Sequence, residues 1–251
     1  MSLSTAQIPR WVRRFPGLKT PLRRFAKRHA PRGPVTLEVE GLAWHLAPRD
    51  NKVDFDIWYK RRLEEAQERA FLAGHLGPGD LFVDIGANIG LYTVALLQAV
   101  PGLAAATFEP LDKLRARQVA NLAANGLTGR AAVSADAVGP AGEMVLYESV
   151  NAGRSSLIAF DGARAGRNVR VRPLAALLDR APSAIKIDVE GYEADALMPY
   201  FDATGPESWP RAVVIETLHR ALWPRDCLSE LFQRGYVLAG ETDENALLVR
   251  A

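Results

Sequence analysis

Beyond position 80 the chain alternates short apolar runs with longer amphipathic stretches. Leu81–Ile85, Ala104–Phe108, Ala131–Ala135, Ala184–Ile187 and Ala212–Ile215 read as buried strands, with Met144–Tyr147 and Val169–Arg172 as further ones. Between them Leu91–Val100, Asp112–Asn125, Leu174–Leu178, Glu193–Tyr200 and Arg225–Arg234 read as helices, the second closed by Gly126. Tyr236–Leu238 and Ala246–Val249 predict a closing antiparallel pair. Strands alternating with helices predict an α/β fold, a doubly wound and mostly parallel sheet covered on both faces. Upstream, Val35–Val39 and Leu42–Leu46 alternate about Glu40-Gly41 and predict a hairpin; Arg61–Leu76 predicts a helix stopped by Gly77-Pro78-Gly79. The expected organisation is an arm at 1–33, a hairpin and helix at 34–79, and a core at 80–251.

The polar residues that interrupt this pattern cluster where strands end. Leu81–Ile85 runs through Asp84 into Gly86-Ala87-Asn88-Ile89-Gly90, a tight turn opening a helix, where open parallel sheets hold nucleotide-like ligands. Gly86 allows positive φ and close approach of a ligand; Gly90 allows the new helix to pack closely against the strand. A dinucleotide fingerprint needs a third glycine where Leu91 stands, so the turn suits a ligand without pyrophosphate, and Asp84 suits a cationic group. Glu109, before Pro110, ends the next strand, where an acid accepts from a ribose diol or simply favours a helix N-terminus. Asp136-Ala137 ends the third strand, where a carboxylate accepts from an adenine amine or serves only the turn.

Lys186, Asp188 and Glu190 alternate with Ile185, Ile187 and Val189, so pleating points three charges to one side. Charges at the end of a buried strand are costly unless they serve a site or pair with one another. Glu216 and His219 end the following strand and are expected at the same rim. Asp188 and Glu216 also offer hard oxygen ligands to a magnesium ion, but no richer ligand cluster accompanies them, so a divalent metal is possible but not favoured. Trp44, Trp58, Tyr59, Trp223 and the polar loop Asn151–Ser156 are candidates for lining a ligand pocket, the aromatics equally for core packing.

Composition narrows the partners. The 251 residues are 48% hydrophobic and 24% charged, an ordinary globular balance. The single cysteine, Cys227, excludes a disulfide framework and suits a reducing, cytoplasmic setting; the first residues lack a signal-peptide core. The net charge of +2 hides nine Lys or Arg and no acid in residues 1–33, which leaves 22 basic against 29 acidic residues beyond. Trp11, Val12, Phe15, Leu18, Leu22 and Phe25 recur at helical spacing among those cations, which suits an anionic membrane surface, although Pro9, Pro16 and Pro21 argue against a long helix and for a solvated arm. A negative body argues against RNA as acceptor, and DNA is not an expected partner.

Taken together, VDIGANIGLYT, TFEP, DAVG and IKIDVEGYE, in this order, resemble the FkbM-type family of S-adenosylmethionine-dependent methyltransferases over residues 34–250. The resemblance implies a seven-stranded Rossmann-like sheet of the class I methyltransferase type and methylation of a hydroxyl on a sugar, glycolipid or natural product. It implies that Asp84, Gly86, Ala87, Asn88 and Gly90 surround the methionine half of S-adenosylmethionine, that Glu109 and Pro110 meet the ribose, and that Asp136 and Ala137 meet the adenine. For proton removal the expected central residue is Asp188, organised by Lys186, Glu190 and Glu216, with His219 as an alternative base. Rival readings are an RNA methyltransferase, a non-catalytic nucleoside-binding module of the same fold, and a dehydrogenase.

Overall fold

The computed structural model describes residues 16–149, 152–160 and 164–251; Trp11, Val12 and Phe15 of the arm and Asn151 of the polar loop lie outside these. The described chain divides between Glu64 and Glu65 into two units.

In the first unit, helix α1 (Pro16–His29) precedes strands β1 (Val35–Val39) and β2 (Leu42–Leu46) and helix α2 (Lys52–Lys60). Pro21 lies inside α1 without ending it. Pro16 stands at the first helical position, where no N–H is needed, and the bond lost at Pro21 falls early in the helix. The hairpin forms with Val39 opposite Leu42, and Glu40 (φ 55°) and Gly41 (φ 72°) supply the two left-handed residues that match a two-residue turn to strand twist. Trp44 is fully buried here, and Trp58 and Tyr59 are half-buried. The predicted helix at 61–76 shortens to α3 (Ala66–Gly74), in the second unit, and α2 lies upstream of it, where the sequence predicted no helix. Arg61 (φ 53°) and Glu65 (φ 57°) turn left-handed between them. The aromatic and β-branched residues of α2 carry weak helix propensity, which hid it in the sequence.

The second unit continues through β3 (Leu81–Ile85), α4 (Leu91–Ala99), β4 (Ala104–Phe108), α5 (Asp112–Ala124), β5 (Ala131–Ser134), β6 (Ala137–Val138), β7 (Gly142–Glu148) and β8 (Arg164–Arg172). It ends with β9 (Ala184–Ile187), α6 (Glu193–Ala203), β10 (Ala212–Glu216), α7 (Cys227–Gln233), β11 (Tyr236–Glu241) and β12 (Asn245–Arg250). Seven strands form one sheet in the order β11-β12-β10-β9-β3-β4-β5, parallel except for β12 and β11. The seven-stranded doubly wound sheet with its antiparallel final pair is thus present. The strands read at Met144–Tyr147 and Val169–Arg172 lie in a separate small sheet, β6-β8-β7. Helix α4 has no polar stripe because Leu91 through Leu97 are all buried.

The chain leaves β3 for β4 and β5 on one side, then returns to β9 and β10 on the other. The sheet therefore reverses direction between β3 and β9, and ligands of open α/β sheets bind at that crevice.

Candidate active site

The turn after β3 is shaped by what packs on it. Gly86 takes φ 77°, and a Cβ there would lie 1.9 Å from the backbone oxygen of Asp188. The approach that excludes a side chain is thus that of the turn after β9, which brings the two motifs together. Asn88 adopts φ 55°, which asparagine tolerates, and its N–H donates to Glu109 Oε2 at 2.9 Å. Gly90 (φ 82°) makes room for Gln118 of α5, whose Cγ would lie 2.8 Å from a Cβ; helix packing against α5, more than against the strand, requires this glycine.

These turns border a solvent-open cavity of about 60 Å³. Gly86, Asn88, Glu109, Pro110, Asp136, Ala137, Asp188 and Glu190 all line it, so the cofactor-facing and catalytic candidates of four strand ends meet in one place. Asp84, Ala87, Gly90, Lys186, Glu216 and His219 are not on its wall. The loop after β7 contributes Ala152, Gly153, Ser155 and Ser156. Ser156, buried, donates to the Glu190 carbonyl at 2.9 Å and so ties that loop to the turn after β9. Tyr192 also lines the cavity; as the residue before α6 it gave no periodic signal in the sequence. Trp44 and Trp223 are core residues, and Trp223 Nε1 donates to Glu193 Oε2 at 2.7 Å.

Glu109 is buried and fixed by two backbone donors, Asn88 N–H on Oε2 and Leu111 N–H on Oε1, each at 2.9 Å. Each oxygen keeps a second lone pair, the geometry a vicinal diol requires of its acceptor. Burial pushes its pKa up to about 7 against those donors and the charges of Lys186 and Arg115. Asp136 is also on the wall, but its carboxylate is held by Arg170 and, at 3.5 Å, by Arg172. The Ser134 hydroxyl donates to its Oδ2. An adenine amine would share this acceptor with two guanidinium groups.

Behind the wall lies a charge network. Asp84 and Lys186 are register partners on adjacent parallel strands and point into one buried layer. Asp84 accepts from Thr93 Oγ1 at 2.6 Å, and burial raises its pKa although Lys186 opposes the shift. Burial disfavours the Lys186 ammonium, yet the carboxylates of Asp188, Asp84 and Glu65 outweigh it and raise its pKa. The ammonium lies 3.4 Å from Asp188 Oδ2, 3.4 Å from the Gly86 carbonyl oxygen and 5.2 Å from the Tyr92 ring centroid. Lys186 is thus a cationic neighbour of Asp84, whose Oδ1 has no hydrogen-bond partner among the described residues. Glu65, in its left-handed conformation, was not singled out in the sequence, because nothing in its local pattern relates it to residues 120 positions away.

Glu193, at the start of α6, pins the turn after β9: its Oε1 accepts from Val189 N–H (2.9 Å) and Gly191 N–H (3.1 Å). Beyond it, His219 Nε2 lies 3.1 Å from Glu190 Oε2 at the rim. Glu216 at the end of β10 is 4% exposed, and its Oε2 has no hydrogen-bond partner among the described residues. Burial, then the carboxylates of Asp188, Glu193 and Glu190, push its pKa up to about 9.

The raised value makes Glu216 a source of pH-dependent instability. Its proton is kept on folding, so below the unfolded value near 4.5 it contributes nothing, and stability falls as pH rises from there towards 9. Glu216→Gln is therefore expected to raise Tm at pH 8 by roughly 4–8 °C, corresponding to ~2 kcal/mol, and to leave it almost unchanged at about pH 4. Equal shifts at both pH values, read by calorimetric melting, would contradict a protonated Glu216.

Asp188, Glu193 and Glu216 each offer an oxygen within 4.8 Å of one another, a possible ligand set for a divalent cation. The donors do not fit that use. Both Glu193 oxygens are committed to N–H donors, and Asp188 already faces the Lys186 ammonium. Glu216 Oε2 has no hydrogen-bond partner among the described residues, and that oxygen beside an ion-paired Asp188 offers fewer free hard ligands than a divalent cation takes.

A family model described as the methyltransferase FkbM domain matches residues 84–238, more than half of the chain. Among solved structures the chain is similar to methyltransferase FkbM from Methylobacillus flagellatus, at 22% identity over 69% of this chain and 44% of that one, with a TM-score of 0.50. It is also similar to an rRNA methylase from Streptococcus thermophilus (11% identity, 73% of this chain, 94% of that one, TM-score 0.47). A third is a SAM-dependent O-methyltransferase from Thermotoga maritima (13% identity, 87% of this chain, 78% of that one, TM-score 0.48). The match spans less than half the length of the Methylobacillus protein. No curated protein matches the chain. The likeness to the Methylobacillus protein speaks to the fold alone; the matched domain, which begins at Asp84 and contains every turn lining the cavity, places the chain in the FkbM family of S-adenosylmethionine-dependent methyltransferases.

Proposed function

We propose that this protein transfers a methyl group to a hydroxyl oxygen of an uncharged acceptor, such as a sugar, glycolipid or natural product, with Asp188 as the proton acceptor. The observation that carries this reading is the position of Asp188. It lies on the cavity wall with its side chain 37% exposed, while its Oδ2 is held 3.4 Å from a buried ammonium. It is therefore reachable by an acceptor and fixed in direction from behind.

S-adenosylmethionine, when bound, supplies an activated methyl group with a neutral thioether as leaving group. Glu109 would hold the ribose hydroxyls, and Gly86, Asn88, Asp136 and Ala137 would complete the wall around the nucleoside. Asp188 would orient the acceptor hydroxyl and take its proton as the oxygen attacks. Lys186 would orient the carboxylate and stabilise its charge before transfer. Glu190, paired with His219, would close the rim and give the proton a route outward.

The four carboxylates on the wall, with no Lys or Arg among the described lining residues, oppose a phosphate-bearing acceptor and so oppose RNA. The test is titration calorimetry followed by labelled methyl transfer into a metabolite and glycan extract. Binding of S-adenosylmethionine without binding of a nicotinamide dinucleotide is expected, with methyl ethers as products and activity surviving chelation by EDTA. Label recovered in RNA, or activity abolished by EDTA and restored by magnesium, would refute the corresponding part.

A further inference from the structure

Helix α1 has two dissimilar sides. Leu22, Arg23 and Ala26 are half-buried within the first unit, and Arg23 Nη2 pairs with Asp56 at 2.7 Å while its guanidinium lies 5.2 Å from the Phe55 ring centroid. Arg24, Phe25, Lys27 and Arg28 are exposed. At 100° per residue, Arg24, Lys27 and Arg28 fall within a 100° arc with Phe25 beside it. No acidic residue occurs in the helix or before it. Among the described residues, no ion pair involves the side chains of Arg24, Lys27 or Arg28. Phe25 is 61% exposed and is stacked on His29 at 4.0 Å between centroids.

We propose that this face of α1 docks on an anionic lipid bilayer, with the three cations on headgroup phosphates or carboxylates and Phe25 inserted at the level of the headgroups. Charge complementarity requires an anionic partner, and the exposed phenyl ring decides its kind. An apolar ring beside a cationic arc suits an interface with an apolar layer beneath the charge, whereas a nucleic-acid duplex, its bases already stacked on one another, offers the ring no apolar partner. The sequence continues the same pattern upstream, with Trp11, Val12 and Phe15 interleaved with Arg10, Arg13 and Arg14. Docking would concentrate the enzyme where membrane-borne hydroxyl acceptors lie, and it stands apart from the identity of the reaction.

The test uses the full chain and vesicles of 30% phosphatidylserine in phosphatidylcholine, pure phosphatidylcholine vesicles, and a 20-nucleotide single-stranded RNA. Each cation near an anionic surface contributes about fivefold. The triple variant Arg24→Gln/Lys27→Gln/Arg28→Gln is therefore expected to bind anionic vesicles about 100-fold more weakly, with Tm unchanged because these side chains are exposed. Phe25→Ser is expected to weaken vesicle binding several-fold at unchanged charge. Pure phosphatidylcholine should bind at least tenfold more weakly, and 0.5 M salt should release the protein. Equal binding to both vesicles, vesicle binding untouched by the triple variant, or binding to the RNA alone would each overturn the proposal.

Discussion

Asp188→Asn is expected to lower kcat by about 10²–10⁴ while leaving the dissociation constant for S-adenosylmethionine within about threefold. The substitution keeps the shape of the side chain and removes its basicity and charge. The neighbouring Lys186 ammonium then keeps Asp84 and Glu65 as counter-charges, so the buried layer does not lose its balance. The part of the cavity proposed to hold the cofactor is built from other side chains, above all Glu109, whose partners are the backbone N–H groups of Asn88 and Leu111. A loss confined to turnover separates proton removal from binding. His219→Ala provides the contrast. His219 reaches the site through Glu190, at 3.1 Å, and stands off the cavity wall. A loss of about tenfold or less is expected there, and a reversal of the two effects, measured on the same acceptor, would make His219 the base.

Much of this arrangement was legible in the residues, for identifiable reasons. The buried parallel strands announce themselves because both faces are covered and their runs are apolar throughout, so Asp84, Lys186 and Glu216 stand out as exceptions within them. Lys186, Asp188 and Glu190 were readable as one group by alternation, yet β9 ends at Ile187 and Glu190 takes φ 55°, so the last of the three reaches the rim through a turn. What pairing alone cannot reveal is which charges face one another across the sheet. Asp84 reads as a site for a ligand's ammonium, but its register partner is Lys186, and the register becomes visible only once strand order is known. Glu65 and helix α2 were hidden for a different reason. Their sequences are rich in charge and weak in periodicity, and tertiary packing decides their form.

The sharpest structural consequence of this architecture lies at Gly86. Gly86→Ala is expected to destabilise the protein by about 4 kcal/mol or more, lowering Tm by roughly 8–16 °C. Two costs combine there. The residue holds φ 77°, which costs an alanine about 1–2 kcal/mol. The new Cβ would also lie 1.9 Å from the Asp188 carbonyl oxygen, a backbone atom that cannot rotate away. Relief requires the turn after β9 to withdraw, and that turn carries Asp188 and is anchored by Glu193. Gly90→Ala meets Gln118 Cγ at 2.8 Å, part of a side chain with more freedom to shift, and about 2–3 kcal/mol is expected. Gly126→Ala, at φ 69° with nothing within 4 Å, isolates the conformational cost alone at about 1 kcal/mol. Urea unfolding of the three variants should therefore rank them in that order. Gly86→Ala falling level with Gly126→Ala would mean that the two motif turns are not in contact. The placement of Asp188 against the cofactor cavity would then have to be abandoned with it.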